Sequence, residues 1–458
     1  MANIFKYVPY SPTFWTPVQF RSTDSFQPLH SGLLLTADPH TSQLQSHFSF
    51  VTKQLLCQCS SSAPGFPLLR LAHIRWATVL PFSQHMENTV FFGFALKYRE
   101  EKRDFYVSTE EELESWMQAL ERICVLQDIE EDFSIGELVG TGEFATVHSG
   151  ANLATGERVA IKRFDKLMLL SSEKRLFALV NEIKVLRELT HPRILALYRV
   201  YESLTHVMLV TEFIPGKDLF GHISFSGVFT PSEAHGFMQN LLEVLKYMDD
   251  HSVLHRDIKP EHLILTDPND KTQFKLRSFD FATKYSGREL RDVCGSPGYM
   301  APEILLRQPY GPTVDLYSAG IVFYIILSGY SPFYSTHRRE IIKKNSKNEI
   351  FFVDIWAKSD PKSVKLIETM TNSVASLRTS PTDLLIALSG GMPRPRLPKL
   401  RASALLEKTP LVRKTWDSPQ LFPSVSAALL PMAKGSKSVP KSQHHLKGPE
   451  PCSWADFR

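Results

Sequence analysis

Between about residues 30 and 107 the chain alternates short apolar runs with turn residues: "SGLLLTADPHT", "HFSFVTKQLLCQC", "NTVFFGFALKY" and "RDFYVS". Val, Phe, Leu and Tyr at a period of two, broken by Gly, Pro, Asp and Asn, predict antiparallel strands. The period then lengthens. Leu113, Trp116, Met117, Leu120 and Ile123 fall on one helical face, and Ser108 with Glu111 predicts a capping box at its start. A sheet followed by one amphipathic helix predicts a small β-barrel plugged by that helix over residues 25–126, after an extension of residues 1–24. The acidic stretch "QDIEED" at 127–132 reads as a linker. In the following segment, 133–390, the longest apolar run of the chain is "GIVFYIIL" at 320–327. It is too short to span a bilayer and predicts a buried helix. From 391 to 458 Pro, Ser, Lys and Arg dominate without a periodic core pattern, which predicts a basic disordered tail.

Composition narrows the classes. A chain of 458 residues holds two or three domains at roughly 100–200 residues each. Apolar (43%) and charged (22%) contents are those of globular proteins. A formal charge of +4 is too small to argue for a nucleic-acid partner. Cys57, Cys59, Cys124, Cys294 and Cys452 are odd in number and scattered, and the opening "MANIFKYVPYSPTFW" has no apolar run. Reduced thiols and a cytoplasmic location are the expectation.

The strand-rich segment closed by "EEELESWMQALERI", with Trp116 inside the helix, resembles a pleckstrin-homology domain. Members that bind phosphoinositides place Lys and Arg around the first hairpin loop to grip phosphates. From Ser31 to Thr52 this chain has neither, only His40 and His47. The resemblance therefore implies weak phosphoinositide or membrane contact, with protein contact or autoinhibition as the other roles.

In the central segment "IGELVGTGEFATVHSG" places Gly140-Thr141-Gly142 before Val147, a turn whose backbone can lie close over phosphates. Val159-Ala160-Ile161-Lys162 is a strand ending in a Lys suited to phosphate oxygens, and Glu182 on the next helix can pair with it. "LVTEFIPGKDLF", "LHRDIKPEH", "CGSPGYMAPE" and "YGPTVDLYSAGIVFYIILSGYSPF" follow in order. This set resembles a protein kinase, closest to the calcium/calmodulin-dependent Ser/Thr type, and implies a bilobal α+β fold. The resemblance implies ATP contacts at Leu138, Val139, Gly140, Thr141, Gly142, Ala145 (in place of a third glycine), Val147, Lys162 and Glu182, with Glu212 and Asp218 at the hinge. It implies that Asp257 accepts the proton of a substrate hydroxyl while Lys259 steadies the phosphoryl group. Asp218 and Glu261 stand where the family binds the ribose and basic residues upstream of a target Ser or Thr, and Ser296 is a further substrate position. Asp315 and an Arg378–Glu303 pair are implied as structural supports.

The metal ligands depart from the pattern. Mg²⁺ takes hard oxygen ligands in octahedral geometry, and the family supplies an Asn five residues after the catalytic Asp. Here that position is His262, a poor Mg²⁺ ligand. The Asp of the usual Asp-Phe-Gly triplet falls in "KLRSFDFATKY". A gap-free run from Lys275-Leu276-Arg277 puts Ser278 at that position, Phe279 in the apolar role and Asp280 at the Gly. Asp280 is the metal candidate only in the alternative register, Asp280-Phe281-Ala282, which needs an insertion.

The expected protein is thus a Ser/Thr kinase-like pseudokinase that binds ATP and transfers phosphate weakly or not at all. The alternatives are an active kinase preferring basic-directed protein substrates, and an adaptor acting through the N-terminal domain and tail. Asp292 is placed to pair with Arg256 and hold the activation segment without phosphorylation. In the tail, "LRASALLEKTPLVRKTW" is broken by Pro410, so calmodulin binding is not expected. Pro395 with Pro398, and Ser403 after Arg401, are minor docking and modification candidates.

Overall fold

In the computed structural model, residues 4–7, 14–18, 26–37, 43–61, 67–86, 89–99, 101–142, 145–352 and 360–389 are described. Strands β2 (His30–Ala37), β3 (Leu44–Val51), β4 (Leu55–Cys59) and β5 (Leu68–His73) run as an antiparallel meander. Strands β6 (Thr78–Met86), β7 (Thr89–Tyr98) and β8 (Glu101–Val107) form a second meander, joined to the first where Leu35 faces Tyr106. With β1 (Thr16–Pro17) beside β5, the result is one eight-stranded sheet ordered β1-β5-β4-β3-β2-β8-β7-β6. The expected closed barrel does not form among the described residues. Each edge already has a partner that blocks closure: β5 is covered by β1, and β6 bonds the chain after the helix through Val79 N to Val125 O at 3.0 Å.

Helix α1 (Glu110–Leu120) packs on this sheet. The cap lies one residue beyond the expected Ser108–Glu111 box: Thr109 Oγ1 accepts from Glu112 N, and Glu112 Oε2 accepts from Ser108 N at 2.9 Å. Trp116 is fully buried beneath Gly32, where an added Cβ would approach its ring nitrogen to 3.4 Å, and it lies edge-on to His30.

The next five strands are β9 (Phe133–Thr141), β10 (Ala145–Asn152), β11 (Arg158–Asp165), β12 (Leu197–Glu202) and β13 (His206–Glu212), in the order β12-β13-β11-β10-β9. Helices α2 (Lys166–Leu170) and α3 (Glu173–Glu188) separate β11 from β12. A helical region follows, with α4 (Leu219–Ser226), α5 (Pro231–Asp250) and, further on, the run 320–327 inside Thr313–Ser328. Every residue from Val314 to Leu327 is buried, as expected of a helix that is apolar all round.

The segment expected as a linker is part of the packing. Leu126 bonds β12 on both sides, its N to Val200 O and its O from Glu202 N, each at 2.8 Å. Ile129 is fully buried, and Asp132 accepts from Tyr201 Oη at 2.5 Å. Trp76, Val79, Leu120 and Cys124 of the N-terminal sheet and helix then join Ile161, Leu179, Ile183, Val200 and Tyr201 in one continuous core. A buried pair, Lys166 with Glu202 at 2.8 Å, also holds Ile4 N at 2.7 Å. The tail features at Pro395, Pro398, Arg401, Ser403, Pro410 and Cys452, and His40, lie outside the described residues.

In the helical region Arg378 meets Glu303 through two parallel bonds of 2.6 and 2.8 Å, with both side chains buried. Removing one partner strands a buried charge. Arg378→Ala should therefore lower stability by about 3–5 kcal/mol, read as a fall in the urea midpoint. An unchanged midpoint would show that the pair contributes nothing.

Candidate active site

Strands β9 and β10 pair across the glycine-containing segment. Thr146 faces Thr141, Val147 faces Gly140 and His148 faces Leu138, with a register shift after Val147. Gly142 N donates to Ala145 O at 2.7 Å, closing the turn, and Leu138 and Val139 are exposed. Lys162 on β11 lies opposite Val147 of β10. Its ammonium donates to both oxygens of Glu182 on α3, at 2.8 and 2.9 Å, and to Asp280 Oδ1 at 3.3 Å. Burial works against the Lys162 charge, but the two carboxylates outweigh it and hold the ammonium more basic than usual. Glu182 is buried beside Asp280, and both effects push its carboxyl well above the ordinary range. Burial also opposes ionisation of Asp280, yet Lys162 prevails and holds it down, at about 2.

The segment below is anchored by its strand. Phe274–Leu276 pairs with Leu263–Leu265 in unbroken register, Leu276 opposite Leu263. Ser278 follows in the left-handed region at φ 62°. Phe279 is fully buried, its ring 4.8 Å from that of His255. Phe281, by contrast, is 41% exposed, and its carbonyl accepts from Arg256 Nε. The buried aromatic is thus the one after Ser278, and Asp280 is the acid turned toward Lys162.

The loop bearing Asp257 hangs from Asp315, whose two oxygens accept from His255 N and Arg256 N at 2.7 Å each. Asp257 Oδ1 accepts from Ser296 N at 2.8 Å, and Lys259 Nζ donates to Ser296 Oγ at 2.7 Å while standing 3.5 Å from Asp257. His262 Nδ1 lies 2.8 Å from the Asp257 carbonyl, so that nitrogen carries the proton. Burial pushes the His262 pKa down to about 3, and the imidazole is neutral. Glu261 Oε2 is buried and accepts no bond from the described side chains or backbone.

This donor set does not fit magnesium. Ser278 offers a neutral hydroxyl, His262 a ring nitrogen, and Asp280 is paired with Lys162. Among the described residues no three His, Cys, Asp or Glu side chains are grouped to hold a metal ion.

Other expected residues are engaged locally. Glu212 accepts from Ala196 N and Lys275 Nζ, both at 2.7 Å. Asp218 caps α4 through Gly221 N at 2.7 Å. Arg256 is held by Phe281 O at 2.7 Å and Tyr310 Oη at 3.0 Å, while Asp292 stands 3.6 Å away and 80% exposed. The sequence reading passed over Arg277. Its guanidinium donates twice to Glu261 O, at 3.1 and 3.3 Å, and lies 3.9 Å from the Asp218 carboxylate. A cation next to the substituted Ser278 was the available signal.

The family model for the protein kinase domain matches residues 133–387. The chain is 37% identical over 225 residues to "Calcium/calmodulin-dependent protein kinase type 1" of Macrobrachium nipponense, covering 49% of this chain and 64% of that protein. It is 36% identical over 220 residues to "Probable serine/threonine-protein kinase 2" of Plasmodium falciparum, covering 48% and 42%. With "Serine/threonine-protein kinase DCLK3" of Mus musculus it shares 38% over 212 residues, covering 46% and 26%. The chain spans less than two thirds of the length of each of these relatives.

The Lys162–Asp280 pair has a definite pH signature. Asp280 has its folded-state pKa depressed from 3.8 to about 2, so its contribution is full above the unfolded value and is lost as pH falls through the folded one. The stability advantage of the native chain over Asp280→Asn should be present at neutral pH and shrink below about pH 4. A difference independent of pH down to about 3 would mean that the carboxylate charge is not what Lys162 holds.

Proposed function

This chain belongs to the protein kinase family, and we propose that it is a nucleotide-binding pseudokinase whose cleft holds ATP without a bound divalent metal and transfers phosphate poorly. One observation carries the reading: Asp280 is paired with Lys162 and His262 is a neutral imidazole, while the family resemblance puts His262 and Ser278 at the two positions that need oxygen ligands. Burial of Phe279 against His255 supports the Ser278-Phe279-Asp280 register. Magnesium would neutralise the triphosphate during transfer, and losing that electrostatic help costs several kcal/mol of transition-state stabilisation. The residues left for binding are Lys162 and the backbone of the Gly140–Gly142 turn. Arg277 lies between Asp218 and Glu261, where the family resemblance puts the ribose, so a nucleotide has to displace it.

A second reading, weak transfer to basic-directed protein sites, has its own support. Asp257 and Lys259 lie together, and the buried, unsatisfied Glu261 oxygen is an acceptor suited to a substrate cation. The strand-rich N-terminal part with its closing helix and Trp116 supports a pleckstrin-homology-like module in a cytoplasmic protein. Its Lys- and Arg-free stretch from Ser31 to Thr52 argues against a tight phosphoinositide grip.

The test is the thermal midpoint of the full chain with ATP, alone, with Mg²⁺ and with excess chelator. The whole chain is required because the two regions share one core. Ligand binding to the folded state raises the midpoint by mass action. An equal rise in chelator is the expected result; a rise only with Mg²⁺ would make the protein a metal-dependent enzyme, and no rise would leave an adaptor. Ser278→Asp combined with His262→Asn should create Mg²⁺ dependence, since Asp is among the residues that tolerate the left-handed backbone at position 278.

Arg277→Ser should separately raise affinity for adenosine in chelator by several-fold, measured by calorimetry. Unchanged adenosine affinity would mean that Arg277 does not cover the site.

A further inference from the structure

The C-terminal turn of α3 is gripped by the N-terminal region. Glu188 Oε1 accepts from Arg75 NH2 at 3.0 Å, its Oε2 pairs with Lys284 Nζ at 2.5 Å, and its carbonyl accepts from Lys53 Nζ at 3.4 Å. Arg187 reaches the other way, donating to Arg75 O at 2.6 Å and Cys124 O at 2.5 Å. Arg75 is 2% exposed, and its Nε and NH1 find no acceptor among the described residues, so Glu188 is the group that compensates its charge. Burial opposes ionisation of Glu188, but Lys284 and Arg75 overcome it and hold its carboxyl below the usual value.

Six residues earlier on the same helix is Glu182. Around and between the two, Leu179, just before Glu182, and Ile183 enter the core shared with Trp76, Val79 and Cys124, while Val185 and Leu186 enter the core of the helical region. The helix is therefore seated by the N-terminal region from behind and by the helical region from below. Lys284 closes the short strand Thr283–Lys284 and follows Asp280 by four residues. The same α3 carboxylate thus touches both the N-terminal region and the start of the activation segment. These contacts fall on α3 and β12 rather than on Asp257 or Lys259, which is not the placement an autoinhibitory plug requires.

We propose that the N-terminal region is a built-in positioning partner of α3: Arg75 acts through Glu188, with Arg187 as the reciprocal clamp, to keep Glu182 on Lys162, and Lys284 ties the activation segment to the same junction. Arg75 and Glu188 are positioning residues. The region does the work that a separate helix-docking subunit would do, and the Lys162–Glu182 pair closes without modification of the activation segment. This positioning of α3 does not depend on whether phosphate is transferred.

The experiment uses the full chain with Arg75→Met, which removes the charge at similar volume, and Arg75→Lys as the conservative rescue. Hydrogen exchange without ligand is the first arm. Faster exchange confined to residues 179–188, with 313–328 unchanged and Arg75→Lys partly restoring protection, is the expected result. Uniform loss of protection in both helices would make Arg75 merely structural and overturn the proposal, as would no change. The second arm is a cycle with Glu182→Gln read by ATP affinity in chelator. Arg75→Met should weaken ATP several-fold in the native background and not at all in Glu182→Gln. Equal losses in both would overturn the route through Glu182. Because the first arm needs no nucleotide, failure of the nucleotide-binding reading is distinguishable from failure of this one.

Discussion

The ion pair between Lys162 and Glu182 is the contact on which the rest of the cleft depends, because it joins a strand and a helix whose positions are set by different neighbours. Lys162 is set by strand registry, paired across to Val147 on one side and Leu209 on the other. Glu182 is set only by where α3 lies. A helix of sixteen residues has little independent stability in water, so its place is decided by what its faces bury. Here those faces are divided between two cores, and the larger share of the upper one comes from outside the kinase-matched segment. The N-terminal region is therefore part of the site's foundation.

The cations described at this site are matched by internal partners. Lys162 is neutralised by Glu182 and Asp280, Lys275 by Glu212, and Lys259 rests on Ser296 and Asp257. Arg277 fills the gap between Asp218 and Glu261. An anionic ligand entering such a site exchanges existing pairs for new ones, so its net gain is smaller than for a cleft with unmatched cations. That exchange predicts modest affinity and a strong dependence on which internal pair opens first.

Much of this was legible in the sequence, and the misses have physical causes. The run at 320–327 announced a buried helix because nothing polar interrupts it, and the Trp116 face followed from spacing alone. The neutral donor at His262 was readable because ligand chemistry depends on residue type more than on placement. Barrel closure was not readable, since the edges are blocked by a two-residue strand and by the chain after α1, neither of which has a periodic signal. Nor was the shared core: Trp76 and Val79 look like ordinary strand residues whatever they pack against. Arg277 escaped for a related reason, because a long flexible side chain takes its direction from tertiary neighbours.

The presence of Asp257 and Lys259 reads at first as a sign of catalysis, since a disused site has no need of them. The geometry supplies another reason for both. Asp257 accepts the backbone N–H of Ser296 and Lys259 donates to its hydroxyl, so together they fasten the activation segment to the loop that Asp315 suspends. Replacing either would leave a half-buried polar group unpaired, at a cost of about 1–3 kcal/mol. The same two residues can thus be required by the fold in a protein that transfers no phosphate. On the reading proposed above, what separates the two cases is the chemistry of positions 262 and 278, a buried neutral imidazole and a hydroxyl where the family resemblance implies hard oxygen ligands.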